Sequence, residues 1–257
     1  IYMAYLEEAK DKVLLGAERK SLVMKEEERR LTAYHEAGHA VCAMMVKGND
    51  PLHKVTIVPR GRALGIAFTL PEGDRVSVTR EQLEARLVMA YGGRVAEEII
   101  FGRDRVTTGA AGDIQQATQI ARRYVTQWGL SDVVGPVLVG DMEQEVFLGN
   151  QIMSRREVSE QTQRIVDGEV KRVIDSAYAL ATRVLTENIE LLHEVAAALL
   201  ERETLTRDDI AVLQRKEKLP PRLAPMPLPV TPATVPLPHQ PKPSAPPLIG
   251  GPEPSPA

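Results

Sequence analysis

The pentapeptide HEAGH occupies positions 35–39, inside the longer stretch ERRLTAYHEAGHAV at positions 28–41. It fits the pattern H-E-x-x-H, in which two histidines stand four residues apart. Residues at this spacing share one face of a helix, so the imidazoles of His35 and His39 can bind the same ion. Glu36 is offset from that pair but near enough to reach a metal-bound water. The pentapeptide therefore predicts a metal centre in which Glu36 is the general base.

The helix that carries this pentapeptide is predicted from Glu26 to about Lys47. Gly48 follows it, and glycine is common directly after the end of a helix. Gly38 lies in the middle of the predicted helix, where glycine costs about 1 kcal/mol relative to alanine. A residue without a side chain at this position indicates that another backbone packs closely against the helix.

A catalytic zinc needs a third protein ligand and keeps a fourth position open for water. The three remaining histidines are poor candidates, because they fall after a predicted turn, in a late helix and in a proline-rich tail: His53, His193 and His239. The extended pattern H-E-x-x-H-x-x-G-x-x-H is excluded, since Cys42 and Met45 stand where it requires glycine and histidine.

An acidic residue from a later helix therefore remains as the third ligand. The segment GGRVAEEII offers Glu97 or Glu98, and the segment TTGAAGDIQQAT offers Asp113. The single cysteine, Cys42, is predicted to be a small buried core residue. Three ligands on one straight helix cannot surround an ion tetrahedrally, so Cys42 is not expected to bind the metal.

The composition indicates a globular and largely helical protein. Of the 257 residues, 43% are hydrophobic, 26% are charged and only 4% are aromatic. These proportions are ordinary for a chain that buries a real core. We predict a mainly α fold with a small β-hairpin or sheet, followed by a helical bundle and a disordered proline-rich tail.

The hairpin is predicted from two strand-like segments, VTIVP at 55–59 and LGIAFTL at 64–70. A second helix is predicted from Thr79, which forms a capping-box pattern with Gln82, to about Ile100. A tight loop, TTGAAGD, precedes four further helices. These are predicted from about Asp113 to Trp128, Ser159 to Glu187, Ile189 to Glu201 and Arg207 to Lys216.

Several partner classes are disfavoured by the charge pattern. The chain has 32 Lys and Arg against 35 Asp and Glu, and no basic run is typical of nucleic-acid binding.

One cysteine excludes an internal disulfide and any multi-cysteine metal site. No apolar stretch approaches the roughly 20 residues that span a bilayer. For this reason we expect the fragment to be soluble. We also expect it to be part of a longer protein, because the sequence starts without an initiator Met.

The last part of the chain is rich in proline, with 15 of the 19 prolines lying after Leu219. Such a segment can propagate neither a helix nor a central strand, so residues 218–257 are predicted to be a disordered tail. A role as a proline-rich ligand, which would make the chain an adaptor, rests on composition alone.

Long stretches of the chain resemble the FtsH family of membrane-anchored, ATP-dependent AAA+ zinc metalloproteases. They are EEAKDKVLLGAERKS, ERRLTAYHEAGHAV, YGGRVAEEIIFG and VTTGAAGDIQQATQIARRYVTQWGLSD. The match is dense from residue 6 to about residue 215, and it consists of long ordered segments rather than one short motif. The resemblance implies a helical zinc-metallopeptidase domain.

The resemblance also implies roles for individual residues. His35 and His39 become zinc ligands, Asp113 the third ligand, and Glu36 the catalytic carboxylate. Glu97 and Glu98 then support the site, although a glutamate there as third ligand stays an alternative. Gly112 departs from the family, which commonly has Asn before the aspartate, and this changes the hydrogen bonding expected for the loop.

The domain organisation follows from the same resemblance. Residues 1–25 are expected to be a linker from a missing ATPase domain, and residues 26–217 the zinc metallopeptidase domain. Within it, residues 26–150 would form the active-site part and residues 154–217 the helical bundle. No phosphate-binding loop G-x-x-x-x-G-K-[ST] occurs, so ATP is expected to act only through the absent domain.

The expected activity is zinc-dependent cleavage of unfolded or membrane polypeptides within a homohexamer, with one Zn²⁺ per subunit. Membrane contact is expected only through absent N-terminal segments. The full-length protein is expected to lie at the cytoplasmic face of the bacterial inner membrane. The alternative is a catalytically silent hexamerisation platform for the ATPase. The presence of all four site residues argues against it.

Overall fold

Helices dominate the computed structural model, which describes residues 3–19, 24–61, 63–71, 73–74, 76–140 and 158–221. The helices in these residues are α1 (Met3–Leu15), α2 (Glu26–Met45), α3 (Arg80–Phe101), α4 (Ala111–Thr126), α5 (Glu160–Glu187), α6 (Ile189–Arg202) and α7 (Arg207–Gln214). The strands are β1 (Leu52–Thr56), β2 (Ile66–Thr69) and β3 (Thr204–Thr206). The mainly helical prediction with a small sheet is confirmed.

The chain divides into two compact units, residues 1–219 and 220–257. The first unit contains every helix and strand given above. In the second, only Pro220 and Pro221 are described, so the predicted disordered tail lies outside the described residues except for its first four positions, 218–221. Helix α1 falls within residues 1–25, the predicted linker, and the predicted domain boundaries stay predictions.

Several helix ends follow local sequence signals. Thr79 accepts a hydrogen bond from the Gln82 amide, and the Gln82 side chain accepts one from the Thr79 amide, so the predicted capping box at α3 is confirmed. Helix α2 ends at Met45, two residues earlier than predicted. Val46 adopts an extended backbone there, and the Asn49 side chain donates to its carbonyl group.

The hairpin forms, but its strands differ in extent from the prediction. Strand β1 begins at Leu52 rather than 55, and both β2 and β3 pair with it in antiparallel fashion, so the order is β2-β1-β3. Val55 of β1 lies opposite Ala67 on one side and Leu205 on the other. Strand β3, which has three residues and lies between two helices, was not predicted from the sequence. Strand β2 is an edge of this sheet.

Helices α2 and α3 touch through their backbones. A Cβ added to Gly38 would lie 2.2 Å from the Gly92 carbonyl oxygen, and one added to Gly92 would lie 2.5 Å from the Gly38 carbonyl oxygen. Both distances are far below van der Waals contact, so neither position accepts a side chain unless the helices separate. The prediction that a backbone packs against Gly38 is confirmed.

The hydrophobic core surrounds α2, which packs against α3, α6, α5 and the sheet. Its fully buried members include Val41, Leu87, Tyr124 and Leu199, from four different helices. This packing removes much of α2 from water, including most of the pentapeptide HEAGH. Among the residues that the structure describes, no helix has both the length and the hydropathy needed to cross a bilayer.

Candidate metal centre

The side chains of the two histidines of α2 converge, so that their Nε2 atoms face each other. One helical turn separates His35 from His39, and both side chains are nearly buried. Their Nε2 atoms are 3.1 Å apart, and their rings meet edge to face at a centroid distance of 4.7 Å. The spacing of four residues therefore brings two nitrogen ligands to one point.

The opposite nitrogen of each ring has its own acceptor. His39 Nδ1 donates to the Met89 carbonyl oxygen at 2.7 Å, and His35 Nδ1 donates to Glu97 Oε1 at 2.7 Å. A backbone carbonyl can only accept, so the proton of neutral His39 must lie on Nδ1, and its Nε2 lone pair faces the shared point. Such a second partner fixes both the tautomer and the orientation of a metal-binding histidine.

Asp113 approaches the same point from the first turn of α4. Its Oδ2 lies 3.3 Å from His35 Nε2 and 3.5 Å from His39 Nε2. Ligand atoms at zinc's usual 2.0–2.1 Å in a tetrahedral site are about 3.4 Å apart, so these three separations fit that geometry. Among the described residues, His35, His39 and Asp113 form the one group of three or more His, Cys, Asp or Glu that could hold a metal ion.

The electrostatics at this point favour positive charge. Burial acts to lower the pKa of His35, but the hydrogen bonds with Asp113 and Glu97 outweigh it and raise the pKa to about 10. Burial would raise the pKa of Asp113, but hydrogen bonds from His35 and His39 hold it well below its usual range. A metal ion would replace the proton shared by these groups, as expected where ligands must be deprotonated.

Gly93 leaves space at the convergence of the ligand atoms. A Cβ added there would lie 2.6 Å from the Nε2 atoms of both His35 and His39. Any side chain at this position would therefore displace the ligand atoms or fill the place of an ion. The two adjacent glycines thus have different neighbours. Gly92 allows close packing of the α2 backbone, and Gly93 leaves room for the two imidazole rings.

Glu97 joins His35 to the loop that leads to Asp113. It is fully buried, at 0% exposure, and accepts hydrogen bonds from the Thr107 amide at 2.8 Å and from the Thr107 hydroxyl. Burial would raise the pKa of Glu97, but the bonds from His35 and Thr107 lower it. Its carboxylate faces Nδ1 of His35, not the Nε2 side where the three ligand atoms meet.

Glu98 lies away from this cluster. Its carboxylate pairs with Arg94 at 3.1 Å and with Arg103 at 3.7 Å, and neither oxygen belongs to the three-ligand group. Cys42 is also outside the group. It is fully buried, and burial raises the pKa of its thiol to about 12, as expected for the predicted inert core residue.

Glu36 lies between the histidines and the sheet edge. A Cβ added to Gly65 would be 2.6 Å from Glu36 Oε1, so the backbone before β2 rests directly against the carboxylate. The Ala67 backbone amide also interacts with the Glu36 carboxylate and acts to lower its pKa. Burial raises the pKa of this carboxyl group, against the opposing effect of His39 and His35. The result is a buried carboxyl group held beside an edge strand.

Gly112, where the family resemblance leads to the expectation of Asn, has open space beside it. It lies in the first turn of α4, its φ is not positive, and a Cβ there would have no neighbour within 4 Å. The loop before it contains a 3-10 turn at Thr108–Ala110, and the Thr107 hydroxyl accepts a hydrogen bond from the Gly109 amide. Helix α4 begins at Ala111, two residues earlier than predicted, so Asp113 lies within its first turn.

Four contributors to this site were not predicted from the sequence: Met89, Gly93, Thr107 and Gly65. Only Gly93 had a visible signal, because two adjacent glycines inside a predicted helix are costly and require a packing reason. The Met89 carbonyl and the contacts of Thr107 and Gly65 depend on how distant segments meet, which local patterns do not report.

The model of peptidase family M41 matches residues 22–213 of this chain, which include α2 to α6 and almost all of α7. The chain belongs to peptidase family M41. The match spans all four residues of the site, so the M41 peptidase domain and the cluster of His35, Glu36, His39 and Asp113 are one region of the molecule. The resemblance to the FtsH family is confirmed.

Curated relatives agree with this assignment. The chain is 49% identical over 242 residues to the ATP-dependent zinc metalloprotease FtsH of Caulobacter vibrioides, covering 90% of this chain and 38% of that protein. It is 53% identical over 207 residues to the protein of the same name from Neorickettsia risticii, covering 80% and 31%. The chain thus spans about a third of the length of these M41 relatives.

Proposed function

We propose that this chain is the zinc-dependent endopeptidase domain of an ATP-dependent protease that degrades unfolded or membrane proteins. The observation that carries the proposal is the convergence of three ligand atoms, at separations of 3.1 to 3.5 Å, beside a buried glutamate in an M41 domain. The names of the relatives, which include both ATP dependence and zinc, support the same function.

One zinc ion per subunit would be held by His35, His39 and Asp113. Two imidazoles, one carboxylate and an open fourth position form the donor set of catalytic zinc sites. When bound, zinc supplies a Lewis acid that makes water available as a nucleophile near neutral pH and favours negative charge on a carbonyl oxygen. Glu97 and the Met89 carbonyl would keep both rings aimed at the ion.

Glu36 would perform the proton transfers. Its carboxylate accepts a proton from the attacking water and then delivers a proton to the leaving amine of the peptide. Burial suits this role, because a carboxylate with a raised pKa is a stronger base than an exposed one. The Ala67 amide and the Gly65 backbone hold the carboxylate in place while it exchanges the proton.

Strand β2 is the proposed guide for the substrate. It is an edge strand, half-buried along Ile66–Thr69, and it lies next to Glu36. An extended polypeptide could add to this edge through main-chain hydrogen bonds, which would make cleavage tolerant of sequence. A proline scan of a model substrate is expected to reduce cleavage at alternate positions. Equal cleavage at every position would contradict strand addition.

Further parts of the proposal rest on the family alone. We propose a homohexamer that acts in protein quality control, with ATP bound by a domain absent from this sequence. Membrane contact would come only from segments N-terminal to it, with the protease at the cytoplasmic face of the bacterial inner membrane. Unfolded polypeptides would be cleaved without ATP, since no unfolding is needed.

Casein cleavage by the purified chain tests the proposal. The expected result is cleavage that a chelator abolishes and that added zinc restores, together with stoichiometric zinc in the untreated protein. Failure to cleave although zinc is bound would favour the silent hexamerisation platform. Absence of both zinc and cleavage would contradict the metal site itself.

A further inference from the structure

The catalytic carboxylate is in contact with a segment that is anchored elsewhere. This segment, which we name the arm, comprises residues 57–61 and 63–67 and joins β1 to the first half of β2. Its last part contacts Glu36 through the Gly65 backbone and the Ala67 amide. Any movement of the arm at this end must therefore move or release the Glu36 carboxylate.

The other part of the arm is held by residues that precede α2. Arg60 is buried, with 7% of its surface exposed, although it lies in a connection between two strands. Its guanidinium donates to the Gly16 carbonyl oxygen at 3.1 Å and to Glu18 Oε1 at 2.5 Å. A buried cation at this place is costly unless it is paired, so these contacts fix where the side chain can lie.

Backbone hydrogen bonds reinforce the same junction. The Arg19 amide donates to the Pro59 carbonyl oxygen at 2.7 Å, and the Arg19 guanidinium donates to the Gly61 carbonyl oxygen at 3.0 Å. Arg60 and Ala63 exchange amide-to-carbonyl bonds of 3.0 and 2.9 Å, which close the turn of the arm. The turn is thus clamped to the N-terminal segment and is itself held in one shape.

We propose that Arg60 is a positioning residue for the general base, and that it links the N-terminal segment to Glu36 through the arm. This proposal rests on the proposed function, because it gives Glu36 a catalytic role. Arg60 touches neither the metal ligands nor Glu36, and acts by fixing the start of the arm whose end holds the carboxylate.

Kinetics of Arg60→Gln test the positioning role in the full chain. The expected result is a decrease in kcat of about tenfold to a hundredfold, because a misplaced catalytic group of this kind costs that much. The zinc content should stay unchanged, and KM for unfolded casein should change less than kcat, because the first half of β2 also belongs to the proposed substrate edge. Arg60→Lys, which keeps the charge opposite Glu18, should recover part of the loss. Unchanged kcat, measured well below each variant's Tm, would overturn the proposal.

Two comparisons separate positioning from simple loss of stability. Arg86→Gln is the matched control, since it removes an arginine that pairs with the buried Asp50 at 3.1 Å but is not part of the clamp. It should lower Tm and leave kcat unaltered. Glu18→Gln should lower kcat in the same direction as Arg60→Gln, and the double variant should be no worse than Arg60→Gln, because the residues act as one unit.

Hydrogen exchange keeps the proposal testable even if the unaltered chain cleaves nothing, which would count against the proposed function alone. Arg60→Gln should speed exchange of the Ala67 amide, which interacts with Glu36, while amides of α3 keep their rates. Equal rates at Ala67 in the variant and the unaltered chain would show that the clamp does not reach the carboxylate, and would overturn the proposal.

Discussion

The candidate metal centre has two sides that are built differently. The ligand side, His35, His39 and Asp113, comes from helices α2 and α4, with α3 holding the two rings from behind. The base side is Glu36 against residues 65–69, which belong to an edge strand and the connection before it. The imidazoles are held by the fully buried Glu97 and by a helix backbone carbonyl, whereas the strand beside Glu36 is half-buried and lies at the sheet edge.

This difference fits the demands on each side. A metal ion needs ligands at fixed separations before it arrives, and partners such as Glu97 supply that order. Glu36, the proposed general base, must exchange protons next to a polypeptide that comes and goes, and in the described part of the chain it lies beside an edge strand. Changes on the ligand side should therefore remove metal and cleavage together, whereas changes on the base side should remove cleavage alone.

The largest effect is expected on the ligand side. His39→Ala removes one of two imidazoles, so zinc should be lost and casein cleavage should fall below detection, both before and after incubation with zinc. Elemental analysis and the cleavage assay measure the two effects. His193→Ala is the matched control, because that histidine is exposed on α6 and bonds to Tyr34. Zinc retention by His39→Ala would contradict the ligand assignment.

The base side should give nearly as large a loss of activity with no loss of metal. Glu36→Gln keeps the size of the side chain but removes the base, and such groups contribute about a hundredfold to ten-thousandfold. Cleavage should fall by at least the lower figure while zinc content stays stoichiometric. Substantial residual turnover, or loss of zinc with the turnover, would break the distinction between the two sides.

An intermediate effect is expected at Glu97, which supports the ligand side without being a ligand. Glu97→Gln weakens the acceptor that holds His35 Nδ1, and changes of this kind cost about tenfold to a hundredfold in metal affinity or activity. Zinc affinity, measured by competition with a chelator, should fall accordingly. Glu98→Gln provides a neighbouring control, because Glu98 pairs with Arg94 and Arg103 instead. Equal losses in both variants would contradict the supporting role.

The smallest effect concerns a glycine remote from both sides. Gly168 lies within α5, and a Cβ added there would meet nothing within 4 Å, in contrast to Gly38. Gly168→Ala should therefore stabilise the fold by about 0.5–1 kcal/mol, as a helix propensity change does. Urea unfolding measures this, with Gly38→Ala as the opposite case that should destabilise strongly. Destabilisation by Gly168→Ala would indicate an unrecognised neighbour.

Much of the helical framework could be predicted because its signals are local. Capping residues such as Thr79 and Ser159 mark helix starts, and the four-residue spacing of His35 and His39 defines a shared face. Asp113 was different, since the residues alone left it equal to Glu97 and Glu98, and only the resemblance to a family chose between them. The roles of these residues stay predictions until variants are measured.

The rest depended on contacts between distant segments. Strand β3 has three residues, too few for a strand pattern, and it pairs with β1 about 150 positions earlier in the chain. The contact between Gly65 and Glu36 likewise depends on where the hairpin docks. Glu97 and Glu98 could have been separated by helix phase: Glu97 stands four residues after Gly93 and shares its face, while Glu98 lies on a different face and pairs with Arg94.

The backbone contact between Gly38 and Gly92 has a consequence for evolution and for engineering. Two positions 54 residues apart must stay small together, so substitutions at either should appear only when the other helix has moved. The pentapeptide HEAGH alone is accordingly not expected to form the same site in another protein. Grafted onto the helix of another scaffold, it would bring two imidazoles and a carboxylate but not the groove of α3 that seats them.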